Sequence, residues 1–122
     1  PSIRLRLIGG KIDWNNMATI GPGAIEYLMN MVIDKVFIGA NGVDVMYGAM
    51  AFEEENAILN KVMAKSARLV CVVADSTKLG KRAFVCSVPT KQIDILITDK
   101  KADRKIVKSL KSRGVKVLIA ED

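Results

Sequence analysis

The chain has 122 residues, 50% of them apolar and 26% charged, with three prolines, no histidine and a formal charge of +6. That balance builds one compact domain with a real core and excludes a disordered tail, while the missing histidine excludes Ser-His-Asp and Cys-His catalysis and histidine-rich zinc sites. No apolar run approaches the roughly 18 to 20 residues of a membrane span, no leader is read, and the positive balance favours an anionic partner without separating nucleic acid from phosphate.

Ser2 to Ile8 alternates Ile3, Leu5 and Leu7 with polar side chains, the period of an edge strand, and Gly9-Gly10 ends it. Strand-like sequence directly after Pro1 reads as the continuation of a longer protein. Lys11 to Ile20 has no clear period, and Trp14 with Asn15-Asn16 reads as loop structure rather than as a stacking platform. Gly21-Pro22-Gly23 then punctuates the chain before Ala24, Ile25, Leu28, Met29 and Val32, which share a helical face.

Val36 to Ile38 predicts a short strand that stops at Gly39-Ala40-Asn41-Gly42, and from about Glu54 the residues Ile58, Leu59, Val62 and Met63 return at helical spacing. The unit reads strand, glycine loop, helix. Glu53-Glu54-Glu55 suits the positive end of the helix dipole; three adjacent side chains there point apart and cannot converge on one bond. Leu69 to Ala74 is nearly all apolar, as a central strand covered on both faces would be, and it ends in Asp75-Ser76-Thr77-Lys78.

Ala83 to Val88 and Ile93 to Ile97 predict two more strands, the second closing on Thr98-Asp99. Asp103 is placed to cap a helix with Ile106, Val107 and Leu110 on one face; Gly114 ends it, and Val115 to Ala120 is the last strand. Cys71 and Cys86 lie in apolar stretches, where reduced buried thiols are common and a disulfide is the weaker reading. The methionines, among them Met17, Met50 and Met63, read as flexible packing.

The alternation predicts an α/β fold: a mainly parallel sheet with helices on both faces, residues 1–122 forming one domain. In such sheets ligands sit beyond the carboxyl ends of the strands, where Gly39 to Gly42, Asp75 to Lys78 and Thr98-Asp99 collect. Gly39-Ala40-Asn41-Gly42 is either a nest of backbone N–H groups for an anion or a tight turn. Asp75 to Lys78 offers either hydroxyls and an ammonium to a ligand or a solvated turn.

Val36-Phe37-Ile38-Gly39-Ala40-Asn41-Gly42-Val43, Gly48, Ala74-Asp75-Ser76-Thr77-Lys78-Leu79 and Ile93-Asp94-Ile95-Leu96-Ile97-Thr98-Asp99 together resemble the sensor domain of DeoR-family transcriptional regulators, in register over roughly Ile8 to Ala120. The resemblance implies a fold akin to ribose-phosphate isomerase, glucosamine-phosphate deaminase and CoA-transferase domains, whose strand-end crevice receives a sugar phosphate. It implies an N-terminal winged helix-turn-helix that binds operator DNA, lying outside this chain, and a first βα unit of the sensor that the chain lacks.

On that resemblance the N–H groups of Gly39, Ala40, Asn41 and Gly42 and the ammonium of Lys78 hold the phosphate, and Asp75 and Asn41 contact the sugar. No cofactor, metal or catalysis is expected, and the protein is read as a cytoplasmic homo-oligomer with no membrane partner. The sequence departs from the family pattern at Asn41, where aspartate is usual, at Met50, often threonine, and at Asn56, commonly glutamate. Two other readings stay open: a sugar-phosphate isomerase or deaminase of the related fold, and an oligomerisation module with a decayed pocket.

Overall fold

The computed structural model describes residues 2–121. In chain order the elements are β1 (Lys11–Asp13), β2 (Ala18–Ile20), α1 (Pro22–Met29), β3 (Ile33–Gly39), β4 (Gly42–Asp44), β5 (Gly48–Ala51), α2 (Glu54–Ser66), β6 (Ala67–Val73), β7 (Val85–Val88), β8 (Ile95–Asp99), α3 (Arg104–Ser112) and β9 (Lys116–Ala120). Strands β3, β6, β8 and β9 form a parallel sheet in the order β3-β6-β8-β9, which makes the apolar β6 an inner strand as its sequence predicts. The α/β class and the parallel sheet therefore agree with the sequence reading.

Period-two alternation sorts the strand residues into two faces. Val36, Ile38, Val70, Val72 and Leu96 enter one buried cluster, joined by Ala64 of α2 and Leu110 of α3. Helix α1 leans on α2 instead, through Ala24 and Leu28 against Leu59. Helices were expected on both faces, but among the described residues α2 and α3 share one. The opposite rows pair Phe37 with Cys71 and Ile95, and Val73 with Ile97 and Leu118. There Phe37, Val73 and Leu118 are 62%, 44% and 42% exposed. The all-apolar run of β6 announces two faces to be covered and says nothing about what covers them.

Strands β4, β5 and β7 form a second, antiparallel sheet that the sequence reading missed, because strands of three and four residues are too short to display a period. The expected strand Ala83 to Val88 is β7 and joins this sheet rather than the parallel one. Gly48 makes its hairpin possible: φ is +95°, and a Cβ there would stand 2.2 Å from the carbonyl oxygen of Val88. Val43, Ala49 and Val88 carry the core from the parallel sheet into the small one.

Lys11 to Ile20, which shows no clear period in sequence, holds the antiparallel hairpin β1-β2, with Trp14, Asn15 and Asn16 in its turn as expected. Ser2 to Ile8, expected as an edge strand, is not one: Ile3, Leu5 and Leu7 are exposed, and no described strand pairs with the segment. Alternation suits a strand, yet the strand exists only where a neighbour accepts its backbone hydrogen bonds. Asp103 caps α3 as expected, accepting from the N–H groups of Lys105 and Ile106. Cys71 is buried and Cys86 half-buried, both thiols are free, and burial raises the pKa of each. No described helix is long and apolar enough to cross a membrane.

Candidate functional site

The carboxyl end of β3 opens into a cleft of about 330 Å³ bounded by Gly39, Ala40, Asn41, Ala51, Asn16, Asn56 and Asn60. Every side chain of this wall is uncharged and four are amides, which offer both donors and acceptors. Asn56 and Asn60 stand one turn apart on α2, Asn16 comes from the turn of the β1-β2 hairpin, and Asn41 from the loop after β3. A second cavity of about 430 Å³ adjoins it, sharing Asn16 and Asn56 and continuing under the hairpin to Trp14, Glu53 and Glu55.

The hairpin is held over α2 by one carboxylate. Asp13 accepts from the backbone N–H of Asn15 at 3.1 Å, from the amide of Asn16 at 2.8 Å and from the amide of Asn56 at 3.2 Å. Those bonds, the Asn16 side chain first, hold its pKa below the ordinary carboxylate value. Lys11 adds an exposed ion pair to Glu55 at 3.3 Å. The sequence reading took Asn16 for loop structure, noted Asn56 only as a departure and passed over Asn60. The available signal was the spacing of Asn56 and Asn60, two amides on one helical face, opposite an Asp-Trp-Asn-Asn turn.

Of the residues expected to bind, Gly39, Ala40 and Asn41 line the amide cleft. The N–H of Asn41 donates to the carbonyl of Met50 at 2.9 Å, and its Oδ1 accepts from the N–H of Phe52 at 3.1 Å. Asn41 thus fastens the loop to β5, and its backbone donor is engaged. Gly42 is buried behind the cleft, where a Cβ would meet the carbonyl oxygen of Lys81 at 2.4 Å. Its glycine is required by the close approach of that neighbouring segment.

Asp75 and Lys78 bracket a single 3-10 turn, Ser76–Lys78, at the end of β6 and outside the wall of the amide cleft. Asp75 accepts from the backbone N–H of Thr77 at 2.8 Å and from the Thr77 hydroxyl, and these bonds lower its pKa. Asp99, at the end of β8, accepts from the N–H of Ser76 at 2.8 Å, which lowers its pKa too. The turn is tied to the small sheet through the N–H of Gly80, which donates to the carbonyl of Val43 at 2.8 Å. Both carboxylates therefore shape strand ends.

Asp44 is a buried carboxylate that the sequence reading did not single out. Burial pushes its pKa up, but the N–H groups of Tyr47 and Met46 and the Arg82 guanidinium at 3.1 Å outweigh this and hold it down. Arg82 also stacks 4.9 Å from the Tyr47 ring centroid, so the group locks the β4-β5 turn. Among the described residues no three metal-type ligands gather.

Among known families, the DeoR C terminal sensor domain model matches residues 1–100 of the chain. The chain belongs to the DeoR sensor-domain family. It is 33% identical over 114 residues to the HTH-type transcriptional regulator GlpR of Haloferax volcanii, covering 93% of this chain and 45% of that protein. It is 31% identical to the HTH-type transcriptional repressor GlcR of Bacillus subtilis over 98% of the chain and 46% of the relative. With the HTH-type transcriptional regulator GolR of Listeria innocua it shares 28% identity over 99% of the chain and 48% of the relative. This DeoR sensor domain spans just under half the length of these curated relatives.

Asn41 and Asn56, the two positions expected from sequence to depart towards amides, each have a local partner. At position 41 the amide keeps the acceptor that Phe52 requires and adds a donor where aspartate would bring a charge. At position 56 a glutamate would face the carboxylate of Asp13, whereas the asparagine donates to it. With asparagine at both positions, the wall of this DeoR sensor is uncharged.

Proposed function

We propose that this chain is the effector-sensing domain of a DeoR-type repressor of sugar catabolism, that it binds a phosphorylated sugar, and that it catalyses nothing. The observation carrying the reading is the uncharged, amide-lined cleft at the carboxyl end of β3, where open α/β sheets take their ligands. Amides match hydroxyl groups that both donate and accept. In this reading Gly39, Ala40 and Asn41 form the floor of the site, Gly42 behind them supports their loop against the Lys81 segment, Asn41 and Asp75 contact the sugar, and Lys78 anchors the phosphate from the neighbouring strand end.

The related enzymes need an acid and a base aimed at one bond. Asp75 is engaged in capping its own turn, and the amide cleft holds no carboxylate, which supports sensing over turnover. Occupancy would favour one conformation and pass to operator DNA through a helix-turn-helix domain outside this chain, in the cytoplasm. The open rows of the parallel sheet support a homo-oligomer.

Melting temperature measured against sugar phosphates and their unphosphorylated parents tests the proposal, because a ligand that binds the native state raises it. Stabilisation by phosphorylated compounds alone is the expected result. Equal response to parent sugars, or turnover of ribose 5-phosphate or glucosamine 6-phosphate, would reject it.

A further inference from the structure

We infer that the cavity beneath the β1-β2 hairpin is a subsite for the uncharged, hydroxyl-bearing ring of the effector, with the indole of Trp14 as its stacking wall; the inference rests on the sensor reading above. This cavity, about 430 Å³, is large enough for one sugar ring and is lined by Trp14, Asn15 and Asn16 from the hairpin and by Glu53, Glu55 and Asn56 from the start of α2.

Its electrostatics select against phosphate. Asp13, Glu53 and Glu55 line it against the single ammonium of Lys11, which already pairs with Glu55 at 3.3 Å. An anion entering there meets net negative charge, whereas a hydroxyl finds carboxylate and amide acceptors. The polar end of an effector therefore points elsewhere, through the shared residues Asn16 and Asn56 into the neutral cleft and toward the ends of the strands.

Its apolar wall is the complement of a sugar. Trp14 is 73% exposed although it lines a cavity, so a large flat apolar surface waits in water beside polar groups. The C–H face of a sugar ring covers an indole while the ring hydroxyls turn outward to the amides. The wall is also placed in advance: Trp14 follows Asp13, whose carboxylate is bonded to Asn16 and Asn56, and the turn closes at Met17 with φ +49°. A ligand then meets a hairpin already fixed over α2, and less ordering opposes binding.

Trp14 is the sole tryptophan of the chain, so tryptophan emission reports on the surroundings of this one side chain. The chain is titrated with glucose 6-phosphate, galactose 6-phosphate, fructose 6-phosphate and inorganic phosphate while emission and Tm are followed together. A hexose phosphate that raises Tm should also shift the Trp14 emission, and inorganic phosphate should leave it unchanged. By calorimetry W14A should bind that hexose phosphate about five- to tenfold more weakly, with W14F keeping most of the affinity. A hexose phosphate that stabilises the chain with Trp14 emission and W14A affinity unchanged overturns the subsite and leaves the sensor reading standing. Silence from every compound overturns both. An emission shift that tracks protein concentration without ligand assigns the hairpin to contact with a second copy and likewise overturns the subsite.

Discussion

The carboxylate of Asp13 and the side-chain amide of Asn56, 43 residues apart in sequence, meet at 3.2 Å and join the β1-β2 hairpin to α2. Because hydrogen bonds favour the ionised form, the folded pKa of Asp13 lies below 3.8, as do those of Asp75 and Asp99. A depressed folded pKa means that the unfolded chain binds more protons in that window, so stability is fully present above the unfolded value and is lost as pH falls through the folded one. Melting temperature should therefore decline on acidification below about pH 4, and D13N and D99N should each flatten the decline. An acid profile identical in the wild type and both variants would contradict these assignments.

The glycines separate into structural and functional positions. Gly48 and Gly42 face carbonyl oxygens that a Cβ would overlap, at 2.2 and 2.4 Å, whereas Gly39 has nothing within 4 Å. G48A and G42A should each cost about 2 to 4 kcal/mol in urea unfolding. G39A should change stability by less than about 1 kcal/mol yet weaken effector binding, since its methyl would project into the amide cleft. Equal losses of stability from G39A and G48A would refute the assignment of their roles.

How legible was this in the sequence? Elements with several turns or an unbroken apolar run were read correctly: α2, β6 and α3 with its Asp103 cap all stand where periodicity puts them. Three-residue strands were not, since β1, β2 and β4 owe their existence to partners rather than to a pattern of their own. Ser2 to Ile8 is the reverse case, a pattern without a partner among the described residues. At the candidate site, the position of Gly39 to Asn41 at a strand end was legible, and a cleft opens there. The amides of Asn16, Asn56 and Asn60 were not, because asparagine in a loop or a helix has many uses and only the fold brings these three to one cleft.

Lys78 is the proposed phosphate anchor and stands half-buried on the turn after β6. A charged hydrogen bond contributes about 1.5 to 3 kcal/mol, so K78A should weaken binding of a phosphorylated sugar by at least about tenfold while leaving affinity for the unphosphorylated parent unchanged. Calorimetry on both compounds distinguishes the anchor from a general loss of folding, which would lower both. Unchanged affinity for the phosphorylated compound would remove Lys78 from the site and leave backbone N–H groups as the anion's partners.

The open rows of the parallel sheet make the last prediction. Phe37, Val73 and Leu118 lie exposed on one face around the buried Cys71, and apolar surface of this kind drives association when another apolar surface is at hand. The chain by itself should therefore sediment as a concentration-dependent oligomer. F37E or V73K should return it to a monomer without lowering its melting temperature by more than a few degrees, because neither side chain enters the buried cluster around Ile38 and Leu96. A wild-type chain that stays monomeric at every concentration would mean that exposure of this face is tolerated in water. If the oligomer survived both substitutions, the contact would have to be built elsewhere, and the exposed Ile12 and Met17 of the β1-β2 hairpin would be the next residues to change.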